Sequence, residues 1–261
     1  MTNPIFFGDP DQVAAAVPGA VFSLTGPEAR HAVAVKRLAP GEDVDIVDGA
    51  GLRLRGTVRL AEPSLLEVEV RDVETEPAAG QELILVQALA KGDRDEQAIE
   101  AATELGVDTV IPWQSERSIV RWRAEKAAKG RAKWQAVVTS AAKQSRRSRL
   151  PQVLDVTDSK ALPAKMAGVD LVLVLHEEAD APFAQAVDSL WRGQPAGAAD
   201  ADTPVSIAVI VGPEGGISPA ELDALRAAGA TAVRLGPHVL RSSSAGPAAL
   251  VLLNHLLGRW S

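Results

Sequence analysis

Apolar residues recur along this chain with two different periods, and the change between them divides it. Up to about residue 75 the period is mostly two. "DVDIVDGAGLRLRGTVRL" alternates on each side of Asp48-Gly49-Ala50-Gly51, a hairpin signature, and "SLLEVEVRDV" supplies another strand. One helix is expected to interrupt these strands, opened by a capping box at Thr25 and Glu28 and running through Ala32 and Val35. "ETEPAAGQE", residues 74–82, has no periodicity and contains Pro77 and Gly80, so a boundary is expected there, with one domain over 1–75 and another over 76–261.

Beyond that boundary strands and helices alternate. "LILVQAL", "DTVIPW" and "DLVLVL" read as buried strands, "DRDEQAIEAATEL" as a helix closed by Gly106, and "APFAQAVDSLW" as another helix. "RGQPAGAADADTP" after it reads as a mobile loop. Ile207, Val209, Ile210 and Val211 form a β-branched run typical of a parallel strand. A helix follows, with Ser218 and Glu221 as capping box, Pro219 at its first position and Gly229 at its close. A strand at Thr231 to Arg234 and a helix near Ala245 to Leu257 complete the series. Such alternation predicts a mainly parallel sheet covered on both faces.

The composition is that of a globular protein, with 46% apolar and 23% charged residues. No apolar run approaches the roughly 20 residues of a membrane span, and no signal-peptide pattern opens the chain. The absence of cysteine excludes disulfides and thiol catalysis, making the cytoplasm the expected compartment. Four scattered histidines make no H-x-x-x-H pair, so no metal is expected.

The net charge of −7 hides a segregation. From Arg117 to Arg149 there are eleven Lys or Arg and one acid, Glu125, a local +10 that leaves −17 for the remainder. Such a segment is the footprint of a polyanion-binding surface. A solvated helix face is the plainer alternative, but the acids expected for i,i+4 pairing are missing and "KQSRRSR" carries side chains suited to phosphate. The segment is expected to be a long helix with Trp134, Val137, Val138 and Ala141 inward and Lys126, Lys129 and Lys133 outward. Trp134 is thus expected in the core.

Ligands of open α/β sheets gather at the carboxyl ends of strands. Three such ends carry unusual residues: "LHEE" (175–178), "GPEGG" (212–216) and "LGPHVLRSSSAG" (235–246). Glycines between strand and helix suggest a phosphate cradle. Yet the spacing fits no nucleotide motif, no lysine is present, and Glu214 puts a carboxylate where phosphate would sit. A neutral or cationic ligand suits the loop better, and a simple tight turn is the bland alternative.

The combination "VGPEGGIS…E" and "LGPHVLRSSSAG" resembles the ribosomal RNA small subunit methyltransferase E (RsmE) family of the SPOUT superfamily. The likeness spans the chain: "HAVAVKRLAPGEDVDIVDGAG" (31–51) resembles the family's PUA-like domain, and "KGDRDEQAIEAATELGVDTVIPWQSERS" (91–118) and "W…AAKQSRRSRLP" (134–151) its central motifs. The resemblance implies an α/β fold, a SPOUT-type trefoil-knotted, mainly parallel sheet behind an N-terminal PUA-like β-barrel. It further implies methylation of a uridine N3 in 16S ribosomal RNA of the small subunit by a homodimer using S-adenosyl-L-methionine. Carried over, the cofactor contacts are Leu175, Gly212, Glu214, Gly215, Gly216, Leu235, Gly236 and Leu240.

Arg241 is the expected catalytic residue, steadying the uridine oxygens, with His176, Glu177 and Glu178 as unranked bases. Arg117, Arg121, Lys143, Arg146, Arg147 and Arg149 are expected to meet RNA phosphates. Where the family commonly reads L-R-T-E-T-A, this chain has Leu240-Arg241-Ser242-Ser243-Ser244-Ala245, so the glutamate is absent; Pro4 and Ile5 stand before Phe6-Phe7, where the family often has an arginine. Two rival functions stay open: a SPOUT methyltransferase for another RNA position, such as a ribose hydroxyl, and a non-catalytic RNA-binding assembly factor.

Overall fold

A computed structural model describes residues 3–191 and 204–260, with the side chains of Leu190 and Trp191 left aside. The loop expected over 192–204 therefore lies almost wholly outside the described residues. The chain folds as two compact units: residues 1–78 with 142–150, and residues 79–141 with 151–261.

The first unit contains β1 (Ile5–Phe7), α1 (Pro10–Ala15), β2 (Val21–Thr25), α2 (Gly26–Arg30), a π-helical turn (His31–Val35), β3 (Asp43–Val47), β4 (Leu52–Glu62) and β5 (Leu65–Thr75). They form a sheet in the order β1-β3-β4-β5-β2, antiparallel except for β1 beside β3. Alternation places Val44, Ile46, Leu54, Val58, Leu66, Val68 and Val70 in a core closed by Phe6, Val13, Phe22 and Leu24. The hairpin at 48–51 forms as its sequence predicts. The Thr25 capping box does not: Thr25 makes no side-chain cap bond. Glu28 instead accepts from Phe7 N (3.1 Å) and pairs with Lys143 Nζ.

Residues 142–150 run along this unit as a strap. Leu150 N donates to Gly49 O (2.9 Å), Arg53 Nη2 to Arg146 O (2.9 Å), Arg149 Nη2 to Glu76 O (2.8 Å), and Ser148 Oγ to the Glu76 carboxylate. Gly51 beside the strap has φ +116°, a backbone conformation that favours glycine.

The second unit contains β6 (Gln81–Ala88), α3 (Arg94–Glu104), β7 (Thr109–Gln114), most of α4 (Glu125–Gln144), β8 (Gln152–Val153), β9 (Thr157–Asp158), α5 (Leu162–Lys165), β10 (Leu171–Leu175), α6 (Phe183–Trp191), β11 (Val205–Val211), α7 (Pro219–Ala227), β12 (Thr231–Val233) and α8 (Ser242–Leu256). Its sheet runs β12-β10-β11-β6-β7-β8, with β9 also on β7, and every pairing is parallel. Side chains of successive strand residues point to opposite faces, so both faces can be covered. Ile84, Val86, Ile111, Trp113, Val172, Val174, Ala208 and Ile210 pack with Leu162 of α5, Met166 just after it, and Leu222 and Leu225 of α7. On the other face α3, α6 and α8 lie against β6, β10 and β11. Gly246 lets α8 pack tightly on β6: a Cβ there would sit 2.9 Å from Leu85 Cδ1.

The basic helix has the expected faces. Trp134, Val138 and Ala141 are buried, Val137 is half-buried, and Lys126, Lys129 and Lys133 are exposed. Its last helix is longer than the apolar pattern suggests, starting at Ser242 rather than Ala245. Among the described residues no helix is long and apolar enough to cross a membrane.

At the start of α3 the Asp95 carboxylate is buried and accepts from Ala90 N (3.1 Å) and Glu96 N (3.0 Å). Burial raises its pKa from the ordinary aspartate value, a rise the two N–H donors only partly oppose. The folded chain thus keeps this proton to higher pH than the unfolded chain, and stability falls as pH rises from the unfolded carboxyl pKa through the raised one. Asp95→Asn is expected to remove that loss. In urea unfolding from pH 3 to 7 the variant should gain on wild type as pH rises, by about 1.4 kcal/mol for each unit of elevation.

Candidate functional site

The parallel sheet delivers three loops to one side. Residues after β10 (175–178), β11 (212–217) and β12 (234–241) line a cavity of about 860 Å³. Its strands are neighbours, in the order β12-β10-β11, so their carboxyl ends open on one space. The volume falls within the roughly 300–1,000 Å³ of small-molecule sites. All eight residues carried over as cofactor contacts border this cavity, as do Arg241, His176, Glu177 and Glu178.

The glycine loop is fixed at both ends. At its start, Gly212 O accepts from Ser242 Oγ (3.0 Å), and Ser242 Oγ accepts from Gln87 Nε2 (2.9 Å) of β6. Gln87 is fully buried and Ser242 nearly so, so this relay lies in a dry interior. At its end, Ser218 caps α7 through Glu221 N, while Glu221 reaches back to Ser218 N (2.9 Å), the full capping box its sequence predicts. Between these anchors Gly216 has φ +74°, and a Cβ on Gly212 would lie 2.7 Å from Ile217 Cγ1.

Charge around the cavity is nearly balanced. Arg94, Arg117, Arg226, Arg234 and Arg241 face Glu177, Glu178, Glu214 and Asp223. The carboxylate of Glu214, which the sequence places where a phosphate would sit, is paired: Arg94 Nη1 lies 3.0 Å from its Oε1. Arg117 Nη1 donates to Gly215 O (3.0 Å), holding the loop from the β7 side. Arg241 is exposed, and its guanidinium makes no hydrogen bond or ion pair among the described residues. Its backbone carbonyl opens α8 by accepting from Ser244 N and Ala245 N. Glu178 N donates to His176 Nδ1 (3.2 Å), which puts the neutral imidazole proton on Nε2 and leaves no free lone pair while that bond lasts.

The six expected phosphate contacts are divided between the two units. Arg117 borders the cavity. Arg121 donates to Ser115 O (2.7 Å) and Glu116 O (2.6 Å), bracing its own loop. Lys143, Arg146, Arg147 and Arg149 belong to the first unit, where Lys143 pairs with Glu28 and Arg146 Nη1 donates to Lys143 O (3.2 Å). The acids missing from the helix are supplied from other elements: Asp155 to Arg131, Glu96 to Lys133 and Glu28 to Lys143.

Sequence reasoning missed Arg94, Arg226 and Arg234 as cavity residues, and Gln87 and Ser242 as its clasp. Arg94 was within reach of the strand-end rule, because it follows β6, the next strand in the sheet. Gln87 offered the other signal, as the one polar side chain within "LILVQAL".

Residues 77–254 match the family model of an RNA methyltransferase domain, and residues 24–71 that of an RNA methyltransferase PUA domain. Ribosomal RNA small subunit methyltransferase E of Mycobacterium bovis is 42% identical over 93% of this chain and 89% of its own. The Bacillus subtilis protein of that name is 31% identical over 90% of each chain. The crystal structure of a ribosomal RNA small subunit methyltransferase E from Neisseria gonorrhoeae bound to S-adenosyl methionine is similar with a TM-score of 0.81 and 28% identity, covering 98% of each chain.

Ser242→Ala is expected to cost about 1–3 kcal/mol in urea unfolding, because it leaves Gly212 O and the Gln87 amide without their buried partner. Arg94→Ala should cost less than about 1 kcal/mol, since the pair it breaks is half exposed.

Proposed function

The chain belongs to the ribosomal RNA small subunit methyltransferase E family, and on that premise we propose that it methylates N3 of a uridine in 16S ribosomal RNA. It is an S-adenosyl-L-methionine-dependent ribosomal RNA methyltransferase. The observation that carries the reading is the cavity itself, formed by three strand-end loops with near-balanced charge, a glycine turn and no lysine. Those features fit S-adenosylmethionine, whose sulfonium, ammonium and carboxylate need no phosphate cradle. Leu175, Leu235 and Leu240 offer apolar walls, and Gly212, Glu214, Gly215, Gly216 and Gly236 the turn of backbone that would hold it.

When bound, the cofactor supplies an electrophilic methyl group on a sulfonium. The chain's task is to prepare the acceptor. Uridine N3 carries a proton and becomes nucleophilic once it is removed, leaving negative charge shared with the flanking oxygens. Arg241, at the cavity edge with its guanidinium uncommitted among the described residues, stabilises that charge. Glu177 and Glu178 are the bases in this proposal, because the Nδ1 lone pair of His176 is occupied. N3 lies on the Watson–Crick edge, so the target nucleotide is unpaired or extruded.

The proposal extends to the assembly. Residues 1–75 act as the PUA-like RNA-binding domain and 76–261 as the methyltransferase domain, in a cytoplasmic homodimer acting on the small ribosomal subunit. Val251 and Leu252 of α8, 39% and 37% exposed, support the dimer as an apolar face a second copy would cover. A trefoil knot is part of the proposal, supported by the chain's path: β12 lies at the sheet edge, yet the next helix, α8, packs on β6 and β11.

Arg241→Ala is expected to lower kcat at least about 100-fold, the scale of one lost charge-stabilising donor, while calorimetric affinity for S-adenosylmethionine stays within a few-fold. Undiminished turnover would remove Arg241 from the chemistry. Mass spectrometry of nucleosides from methylated RNA should find 3-methyluridine; a ribose methyl would shift the acceptor.

A further inference from the structure

The eleven cations between Arg117 and Arg149 have unequal roles, and the structure sorts them. Arg131, Lys133 and Lys143 are paired with Asp155, Glu96 and Glu28. Arg117, Arg121, Arg146 and Arg149 donate to backbone carbonyls that shape loops or hold the strap. Arg147 also has an interaction. The side chains of Arg123, Lys126 and Lys129 make no hydrogen bond or ion pair among the described residues, and all three are exposed.

These three stand within seven residues of sequence, on the loop that enters α4 and on its first turns. The loop that presents them is fixed. Trp122 N donates to Gln114 Oε1 (2.8 Å), and the Trp122 ring meets Trp134 edge-on at 5.2 Å. The same ring lies against Gly130, where a Cβ would fall 2.5 Å from Cε2. Lys126 N and Ala127 N close the turn on Arg123 O (3.1 Å) and Ala124 O (3.0 Å). Arg121, Arg123, Ala124, Glu125 and Lys126 border a shallow depression of about 690 Å³, in which Glu125 is the only acid.

We infer that Arg123, Lys126 and Lys129 form the phosphate-contacting site for the RNA substrate, in place of the strap residues Lys143, Arg146 and Arg149. The inference rests on the reading of the chain as an RNA methyltransferase. A cation already paired must give up its partner to meet a phosphate, whereas these three exchange only water and counterions. Their fixed loop means that little side-chain-bearing backbone must be ordered when RNA arrives.

The test compares wild type with the triple variant Arg123→Gln, Lys126→Gln, Lys129→Gln and with the charge-retaining Arg123→Lys, Lys126→Arg, Lys129→Arg. Affinity for a 16S RNA fragment is measured over a salt series, with S-adenosylmethionine affinity as a check on folding. The glutamine variant should flatten the slope of log K against log salt by about 2, at roughly 0.7 per contact for single-stranded RNA. Its cofactor affinity should match wild type, and the charge-retaining variant should restore the slope. A glutamine variant that keeps the wild-type slope, or a charge-retaining variant that fails to restore it, overturns the site while leaving methylation intact. Failure of wild type to bind or methylate any ribosomal RNA overturns the functional reading, and the site with it.

Discussion

The buried carboxylate of Glu221 is the knot of hydrogen bonds on which the site depends. A charge removed from water is tolerated only when donors replace its hydration. Here the donors are Ser218 N, Glu116 N and Ser159 Oγ, from the loops that follow β11, β7 and β9. The arrangement is reinforced because Ser218 Oγ donates to Glu116 Oε2 (2.6 Å) and Trp113 Nε1 donates to Ser159 Oγ (3.3 Å). Strand ends from separate parts of the chain are thereby tied to a single group. The glycine turn beside it can then remain free of side chains without losing its position, since Ser242 holds its other end.

The same sequence signal gave opposite results at two helices, and the reason is physical. Ser218 and Glu221 form their capping box because both partners of each bond lie within one helical turn, and the distant donors Glu116 N and Ser159 Oγ take Glu221 Oε1 and leave Oε2 to Ser218 N. Thr25 and Glu28 have the same spacing, but the Glu28 carboxylate is taken by Phe7 N and by Lys143, 21 and 115 residues away. Local pattern specified where the helix begins and failed to specify what its acid does. The longer strands of the parallel sheet were legible because their apolar runs are buried as the sequence suggests; β8 and β9, two residues each, are too short to carry a pattern and were not read.

The site was legible in outline for a related reason. Strand ends and glycines are visible in sequence, and they located the cavity. Its electrostatics were not, because the neutralising partner of Glu214 is Arg94, 120 residues earlier. Ser242 shows how a departure from a family pattern acquires meaning from structure. The family commonly has threonine there, and serine keeps the hydroxyl that joins Gln87 to Gly212. At Ser243 the familiar glutamate is replaced by a short neutral side chain, and the acidic function has no such substitute at that position.

Counting basic residues along a helix measures how much positive charge is supplied, and the fold decides how much of it can meet a polyanion. The pair of Arg131 with Asp155 is exposed, 49% and 85%, and such pairs are worth less than about 1 kcal/mol. It can open to a phosphate at little cost. Lys143 and Glu28 are 14% and 27% exposed, and Glu28 also binds Phe7 N, so removing the lysine would strand a carboxylate that is largely out of water. The basic segment therefore carries a gradient of availability. Cations whose side chains are unpaired among the described residues come first along the segment, at the entry to α4; weakly paired ones follow, and committed ones belong to the strap. A polyanion that approached the first group would displace only water and counterions, whereas drawing on the last would cost the bonds that hold the strap.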